Sequence, residues 1–563
     1  MSTGDSGQLA EAHHGDGVKE TIESIVIALI LAFVFRAFVV EAFVIPTGSM
    51  APTLYGAHGT IVCDDCGTEF AYGLRDLKDT RRSTSVSSNA KAVCPNCSHP
   101  NTRLTINDIQ RNPETGDRIL VLKWPFDFGG DLLGPARWDV VVFKDPADAK
   151  TNFIKRLVGL PNEVLMILHG DLYAAPVSEL SDETLAELDE GRRGKYLRRT
   201  GQTEERLEPV SMRVREELDE KVRIVRKPAE AQEALWFTVY DHDYPPQLLD
   251  SGQPHWRAIL GDSSGWDTSS RRIRYENRTG REDYIELWGK QIRADCAYNI
   301  HPRSKPPMVA DQRVRFVLTP LSNTGSVTVR VGSTLRPFDG MIRMDGLVML
   351  SNPPDMWKKQ DVITIGTQLP PLALNKPVEI SVEHVDYRAS IRIGGKEVLA
   401  TSSDPSEEGY YAPDVRQLRQ EAQSRAAVQP RVYATNGVLE ITHLAVDRDE
   451  YYYHVQGGGL ALRWAPRAGW ASPISPILLR EDEHFMLGDN TAASKDSRLW
   501  DTVAESLDAR GEDMQLGTVP RDQLIGKAFF VYWPSPNRVS WLQWLPVVKG
   551  SVIPDVGRMR WIR

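Results

Sequence analysis

From Ser24 to Val40 the chain reads SIVIALILAFVFRAFVV, seventeen residues in which Arg36 is the single charge. As a helix this run would span roughly 25 Å, near the minimum for a bilayer core. Arg36 sits close to one end, where its long stem can carry the charge to the interface. A cleaved signal peptide would need a basic leader and an A-x-A-like site. Lys19, however, is the only Lys or Arg in residues 1–23, among five acids. The pattern therefore predicts a retained transmembrane anchor over residues 21–45, behind an N-terminal tail of residues 1–20. Lys19 and Arg36 give no useful positive-inside bias, so hydropathy leaves the sidedness open.

After the anchor the pattern changes to short apolar or β-branched runs between turn residues: DRILVLKW (Asp117–Trp124), WDVVVFK (Trp138–Lys144) and EVLMIL (Glu163–Leu168). These predict strands. Residues 176–235 are charged and helix-prone, with ELSDETLAELDEGRRGKYLRR and MRVREELDEKVRIVRK, and predict a solvated helical connection. Alternation returns over 236–455, in DQRVRFVLTPL, GSVTVRVG, PVEISVEHVDYRASIRIGGKEVLA and GVLEITHLAVD. Recurrent alternating strands with turns between them predict a β-sandwich. A helical excursion is expected within it, from Asp404 to Pro430. Leu478–Pro534, inside a last segment of 456–563, returns to the earlier style. No internal repeat is present. The expected fold is mainly β: a β core after one N-terminal helix, interrupted by insertions.

A length of 563 residues is consistent with several domains. The net charge of −9 argues against nucleic acid as a partner. Five cysteines are too few for a disulfide-built scaffold, and four of them form two C-x-x-C pairs, Cys63/Cys66 and Cys94/Cys97, with 27 residues between. Four thiolates in two knuckles suit a structural zinc ribbon over residues 61–105, although the usual gap is shorter. Two disulfides, or a redox C-x-x-C lacking its βαβ context, are the alternatives. All four positions being thiolates excludes a catalytic zinc with an open site. Cys296 reads as a buried core thiol.

The stretch FVIPTGSMAPTLYG places Ser49 nine residues beyond Val40. A serine needs a base to act as a nucleophile at neutral pH. The G-x-S-x-G elbow is absent, and no histidine-bearing segment looks like a triad partner. A lysine kept neutral by burial is the other solution. Lys155, in NFIKRLVGLPNE, interrupts an apolar strand. Taken alone, Ser49 would be a turn serine and Lys155 an edge-strand charge.

Four stretches in order, IPTGSMAPTL, RWDVVVFK, FIKRLVGLPNE and FMLGDNTAASKDSR, resemble the boxes of bacterial type I signal peptidase, and the preceding single anchor is where that family places it. The resemblance implies a Ser/Lys-dyad serine endopeptidase, with no cofactor for catalysis, that removes signal peptides from exported preproteins. It implies Ser49 as nucleophile and Lys155 as general base, with catalytic-core parts at 46–60, 106–175 and 456–563. The Ser49 N–H and Thr47 hydroxyl would form the oxyanion hole. Ser494 would orient the lysine, Asp496 and Arg498 would support it, and Asp489 would pair with Arg156. Phe43, Ile45, Pro46, Met50, Leu54, Phe153 and Ile154 would line shallow pockets for the two small residues of an A-x-A site.

The chain departs from the family at GDNTAASKDSR, where Thr491, Ala492 and Ala493 replace a charged, hydrogen-bonding stretch. The activity implies a single-pass protein of the bacterial cytoplasmic (inner) membrane, partnered by the bilayer and by preproteins, with its catalytic domain on the exported side. The 236–455 region resembles a concanavalin- or laminin-G-like domain in texture, a fold that can bind a glycan or dock a protein. The rival readings are a catalytically impaired, membrane-anchored binding module and a Ser/Lys relative acting on something other than signal peptides.

Overall fold

A computed structural model describes residues 14–73, 91–105, 114–128, 133–199, 210–247, 254–277, 281–299, 306–352, 363–420, 428–454, 469–500, 502–508, 515–534 and 556–562. The chain is mainly β. His14–Phe38 is one helix. Its stretch Lys19–Phe38 has a mean hydropathy of 2.1 and is exposed along its whole length, and it is long and apolar enough to cross a membrane. An apolar surface all round suits a helix whose solvent is lipid.

Only Val39 separates the helix from the strand Val40–Val44. That strand is the edge of an eight-stranded sheet. The sheet continues through Arg118–Leu122, Leu524–Trp533, Val140–Lys144, Asn152–Gly159, Glu483–Leu487 and Val519–Pro520, and Arg560–Trp561 pairs with the long Leu524–Trp533 strand. Neighbours run antiparallel, with Val40 opposite Leu122 and Val141 opposite Lys155. The run DVVVFK is apolar throughout because both of its faces are covered. Val140 and Val142 pack with Ile45, Met50 and Leu54, whereas Val141 and Phe143 pack with Leu157, Met486 and Trp500.

A second sheet of four strands, Arg223–Ile224, Asp171–Pro176, Glu163–Leu168 and Ile477–Leu479, leads to the charged segment. There the helices Asp182–Arg199 and Met212–Lys221 form. Ser211 caps the second by accepting from the Val214 N–H, which satisfies one of the free amides of its first turn. The connection is less solvated than its charge suggests. Val214 and Leu218, one turn apart, are fully buried in a cluster with Val164 and Met166. Two apolar residues four apart are enough to seat a helix whose other positions are charged.

The same cluster runs on into the sandwich, two antiparallel sheets of eight and seven strands. The long strand Gly437–Arg448 pairs with Gln312–Pro320, Ile273–Asn277 and Phe237–Asp241. Alternate residues Val314, Phe316 and Leu318 of one sheet and Val327, Val329 and Val331 of the other fill the interior. The expected helical excursion is the short helix Val415–Gln420, with residues 421–427 outside the described set. Cys296 is only partly buried, and burial pushes its thiol up to about 11.

Leu218→Ala is expected to destabilise the protein by about 2–4 kcal/mol through the cavity it leaves. Met212→Ala, on the exposed face of the same helix, should shift the thermal unfolding midpoint little, and melting curves of both variants check this.

Candidate active site

Beyond the edge strand the chain makes a single 3-10 turn, Gly48–Met50, entered by an extended Thr47. Ala51 N–H donates to Gly48 O (3.0 Å) and Leu54 N–H to Met50 O (2.8 Å). Met50 and Leu54 are fully buried beneath the sheet and pin the turn. The first amides of such a turn, Ser49's among them, have no acceptor within it. Thr47 is exposed, and its side chain makes no capping bond to the turn.

The apolar strand Asn152–Gly159 carries Lys155 into the interior at 3% exposure. Its Nζ shares a 2.6 Å hydrogen bond with Ser49 Oγ and donates to Ile154 O at 2.9 Å. Phe153 lies with its ring centroid 5.4 Å from Nζ. Burial lowers the Lys155 pKa to about 8; Asp496, Asp489 and Asp145 pull it up, and Arg498 pushes it down. Two residues 106 apart in sequence thus meet as a hydroxyl and an amine that can be neutral near physiological pH.

The segment around 485–498 closes the site from the other side. Asp489 takes a two-pronged bond from the next residue on the lysine strand, Arg156 Nε–Oδ1 at 2.8 Å and Nη2–Oδ2 at 2.6 Å, with both side chains fully buried. Arg156 Nη1 also donates to Trp138 O. Asp496 and Arg498 form a second buried pair, Nε–Oδ1 2.8 Å and Nη2–Oδ2 2.6 Å, and Gly488 N–H donates to Asp496. Ser494 is buried against Gly488, where an added Cβ would lie 2.2 Å from its Oγ. The hydrogen bonds of Lys155 run to Ser49 and Ile154 rather than to Ser494.

Of the apolar residues assigned to substrate pockets, Ile45, Met50, Leu54 and Ile154 are core, with Phe43 half-buried on the same cluster. Phe153 packs partly buried on the opposite face of its strand, and Pro46 is exposed. Inspection of the motifs missed Asn490. Its Nδ2 donates to Gly48 O (2.9 Å) and its backbone N–H to Ser49 O (3.1 Å). A bond that spans 442 residues leaves no local signal.

The two knuckles fold alike. Gly67 N–H donates to Cys63 O and Cys63 N–H to Thr68 O, just as Ser98 N–H donates to Cys94 O and Cys94 N–H to His99 O. All four sulfurs lie within 4.8 Å of one another, with Cys63–Cys97 at 3.6 Å and Cys66–Cys94 at 3.7 Å. A thiolate tetrahedron around zinc at about 2.3 Å has edges of about 3.8 Å; a disulfide needs about 2.05 Å. Asn96 ties the second knuckle to the sandwich, donating to Tyr244 O and accepting from Asp241 N–H, both at 2.7 Å.

Compared with known proteins, residues 18–217 and 466–533 match the model of the family described as signal peptidase, peptidase S26. The chain is 31% identical over 137 residues to a signal peptidase I of Pseudomonas fluorescens, covering 24% of this chain and 30% of that one. It is 21% identical over 183 residues to a signal peptidase I of Rickettsia bellii, covering 32% and 46%. The chain thus spans less than half the length of these relatives. Among solved structures, a carbohydrate-binding module from Bacillus subtilis aligns at 10% identity and TM-score 0.23, over 34% of this chain and 94% of that one. A laminarinase catalytic domain from Thermotoga maritima aligns at 10% and 0.24, over 38% and 98%. Likenesses this slight carry no reading of the sandwich.

Lys155 lowered from 10.5 to about 8 means that the unfolded chain binds the extra proton between those values, so stability rises with pH across that window. Below pH 8 a constant penalty remains, about 3 kcal/mol for a shift of this size. Lys155→Met is therefore expected to melt above the parent at pH 7, with the gap closing towards pH 10. Asp489→Ala should instead lose about 3–5 kcal/mol by stranding a buried Arg156, which denaturant titration measures.

Proposed function

We propose that the chain is a membrane-anchored serine endopeptidase that cleaves signal peptides from exported preproteins by a Ser49/Lys155 dyad. The observation that carries this reading is the 2.6 Å contact between a buried lysine amine and the serine hydroxyl. In this mechanism Ser49 Oγ attacks the carbonyl carbon before the scissile bond as its proton passes to neutral Lys155. The Ser49 N–H and Thr47 hydroxyl take the oxyanion, an interaction typically worth about 3 kcal/mol per donor. Collapse breaks the C–N bond, and the leaving amine takes the proton from Lys155. Lys155 then deprotonates a water that attacks the acyl carbonyl, the C–Oγ ester bond breaks to free the signal peptide as its carboxylic acid, and Ser49 Oγ takes the proton back from Lys155.

Two features support the substrate class. The strand Val40–Val44 is the open edge of its sheet and runs straight from the anchor into the serine turn. An extended peptide added there would present alternate side chains to one face, which suits two small residues spaced as in A-x-A. The placement also keeps the nucleophile at the bilayer surface, where a cleavage site just past an apolar segment arrives. The reading assigns the chain to the bacterial cytoplasmic membrane with residues 46–563 on the exported side. Its ribbon would hold one structural zinc on Cys63, Cys66, Cys94 and Cys97, serving the fold and taking no part in the chemistry.

Detergent-solubilised protein should process a preprotein carrying an A-x-A site, and Ser49→Ala or Lys155→Ala should each lower the rate by at least about 10³-fold. Correct folding without cleavage by the parent protein would sink the reading. Activity should rise with pH through about 8 as Lys155 loses its proton. Metal analysis should find one zinc per chain, and Cys94→Ser should lose the zinc and lower the melting temperature. A zinc-free protein with no free thiols among the four would show disulfides instead.

A further inference from the structure

A loop of the sandwich region, Cys296–Asn299, reaches out of its own domain into the serine turn. Asn299 and Asn490 bond reciprocally, each Nδ2 donating to the other's Oδ1 at 2.8 Å. Asn490 thereby uses both amide hydrogens, one on Asn299 and one on Gly48 O, while its backbone holds Ser49 O. Beside it Tyr298 stacks on Tyr55 with ring centroids 5.9 Å apart and planes 11° from parallel, and its hydroxyl donates to Ala57 O at 2.8 Å. The Tyr298 ring fills the space beside Gly48. A Cβ on residue 48 would come within 1.9 Å of it, and one on Gly73 of the first knuckle hairpin within 2.3 Å. Gly73 N–H donates to Tyr298 O, so one tyrosine joins the ribbon to the catalytic turn.

A second contact comes from the end of the sandwich's longest strand. Glu450 accepts from Thr491 Oγ1 at 2.6 Å, and Arg448 bonds both Glu450 and Asp295 O at the root of the same loop. Thr491 is the first of the three residues that replace the family's charged stretch. Its partner is contributed by the insertion.

We propose that the insertion is a positioning element of the active site: Asn299 and Tyr298 hold the turn that carries Ser49 in register with Lys155, with Glu450 securing Thr491. The proposal rests on Ser49 acting as the nucleophile. A misplacement of the nucleophile of a few tenths of an ångström acts on the chemical step more than on substrate binding. The loop reaches the turn region through the Ala57 carbonyl, by Tyr298, and through Asn490, whose Nδ2 in turn holds the Gly48 carbonyl.

The test uses Asn299→Ala and the milder Tyr298→Phe in the full-length chain. Asn299→Ala is expected to lower kcat on a preprotein about tenfold with KM within about twofold, without moving the pH at which activity rises. Tyr298→Phe should show a smaller loss of the same kind, and it keeps the test open if Asn299→Ala folds poorly. Hydrogen–deuterium exchange of residues 47–57 should be faster in Asn299→Ala than in the parent, with the strands of 312–351 unchanged. An unchanged kcat in both folded variants overturns the proposal, even if exchange is faster, because Asn299 is then structural only. If the parent does not cleave preproteins, the peptidase reading fails. The positioning role falls with it, a result distinct from that of an active parent whose kcat neither variant changes.

Discussion

An amine can take a proton from a serine hydroxyl near neutral pH only if its own proton is easily lost, and in a lysine that requires removal from water. The surroundings of Lys155 meet that requirement. Lys155 occupies an apolar strand covered on both faces, and burial is the largest influence on its pKa. Desolvation alone would favour sinking the amine anywhere in the core; the chemistry also needs the serine within 3 Å. The buried Arg156–Asp489 and Arg498–Asp496 pairs reconcile the two demands. Each arginine is neutralised by its own carboxylate, which limits the upward pull of Asp489 and Asp496 on Lys155, and burial outweighs the pull that remains. Adjacent opposite charges in a low dielectric largely cancel at the distance of a third group.

Fixing the serine is a separate problem, because a single 3-10 turn has few hydrogen bonds of its own. Its stability is borrowed. Met50 and Leu54 anchor it from below, and Asn490 holds its carbonyls from one side. The loop of Tyr298 and Asn299 backs it from another. Two segments that interrupt the first sheet in sequence thus come together around the serine in space. The second cysteine knuckle is itself docked on the sandwich through Asn96, so knuckles, sandwich loop and serine turn share one continuous set of contacts.

Much of this was readable along the chain. A seventeen-residue apolar run can satisfy its backbone in lipid only as a helix, which makes the N-terminal helix a local property. Alternation with period two marks strands with one wet face, and DVVVFK, with no alternation, marks one with none. Two C-x-x-C knuckles bring their own turns, since Gly67 and Ser98 take left-handed conformations that the local hydrogen bonds require. Ser49 and Lys155 stand out only through the order of the four signal-peptidase-like stretches, since each taken alone is an ordinary turn serine or strand charge. In the connection over 176–235 the helices were legible but their burial was not. Its composition is charged, and only two residues of its second helix, Val214 and Leu218, are fully buried.

The sequence by itself determined the apolar N-terminal helix, most strands and the cysteine knuckles, because each depends on covalent neighbours or on a repeating local pattern. Only the tertiary structure decided that Ser49 Oγ and Lys155 Nζ meet at 2.6 Å, that Asn299 completes Asn490, and that Glu450 supplies the partner of Thr491. Those contacts join residues 106, 191 and 41 positions apart. They exist because the folded sheets bring distant side chains into a dry interior. There a polar atom without a partner costs about 1–3 kcal/mol, and the partner is whichever residue the packing places within reach.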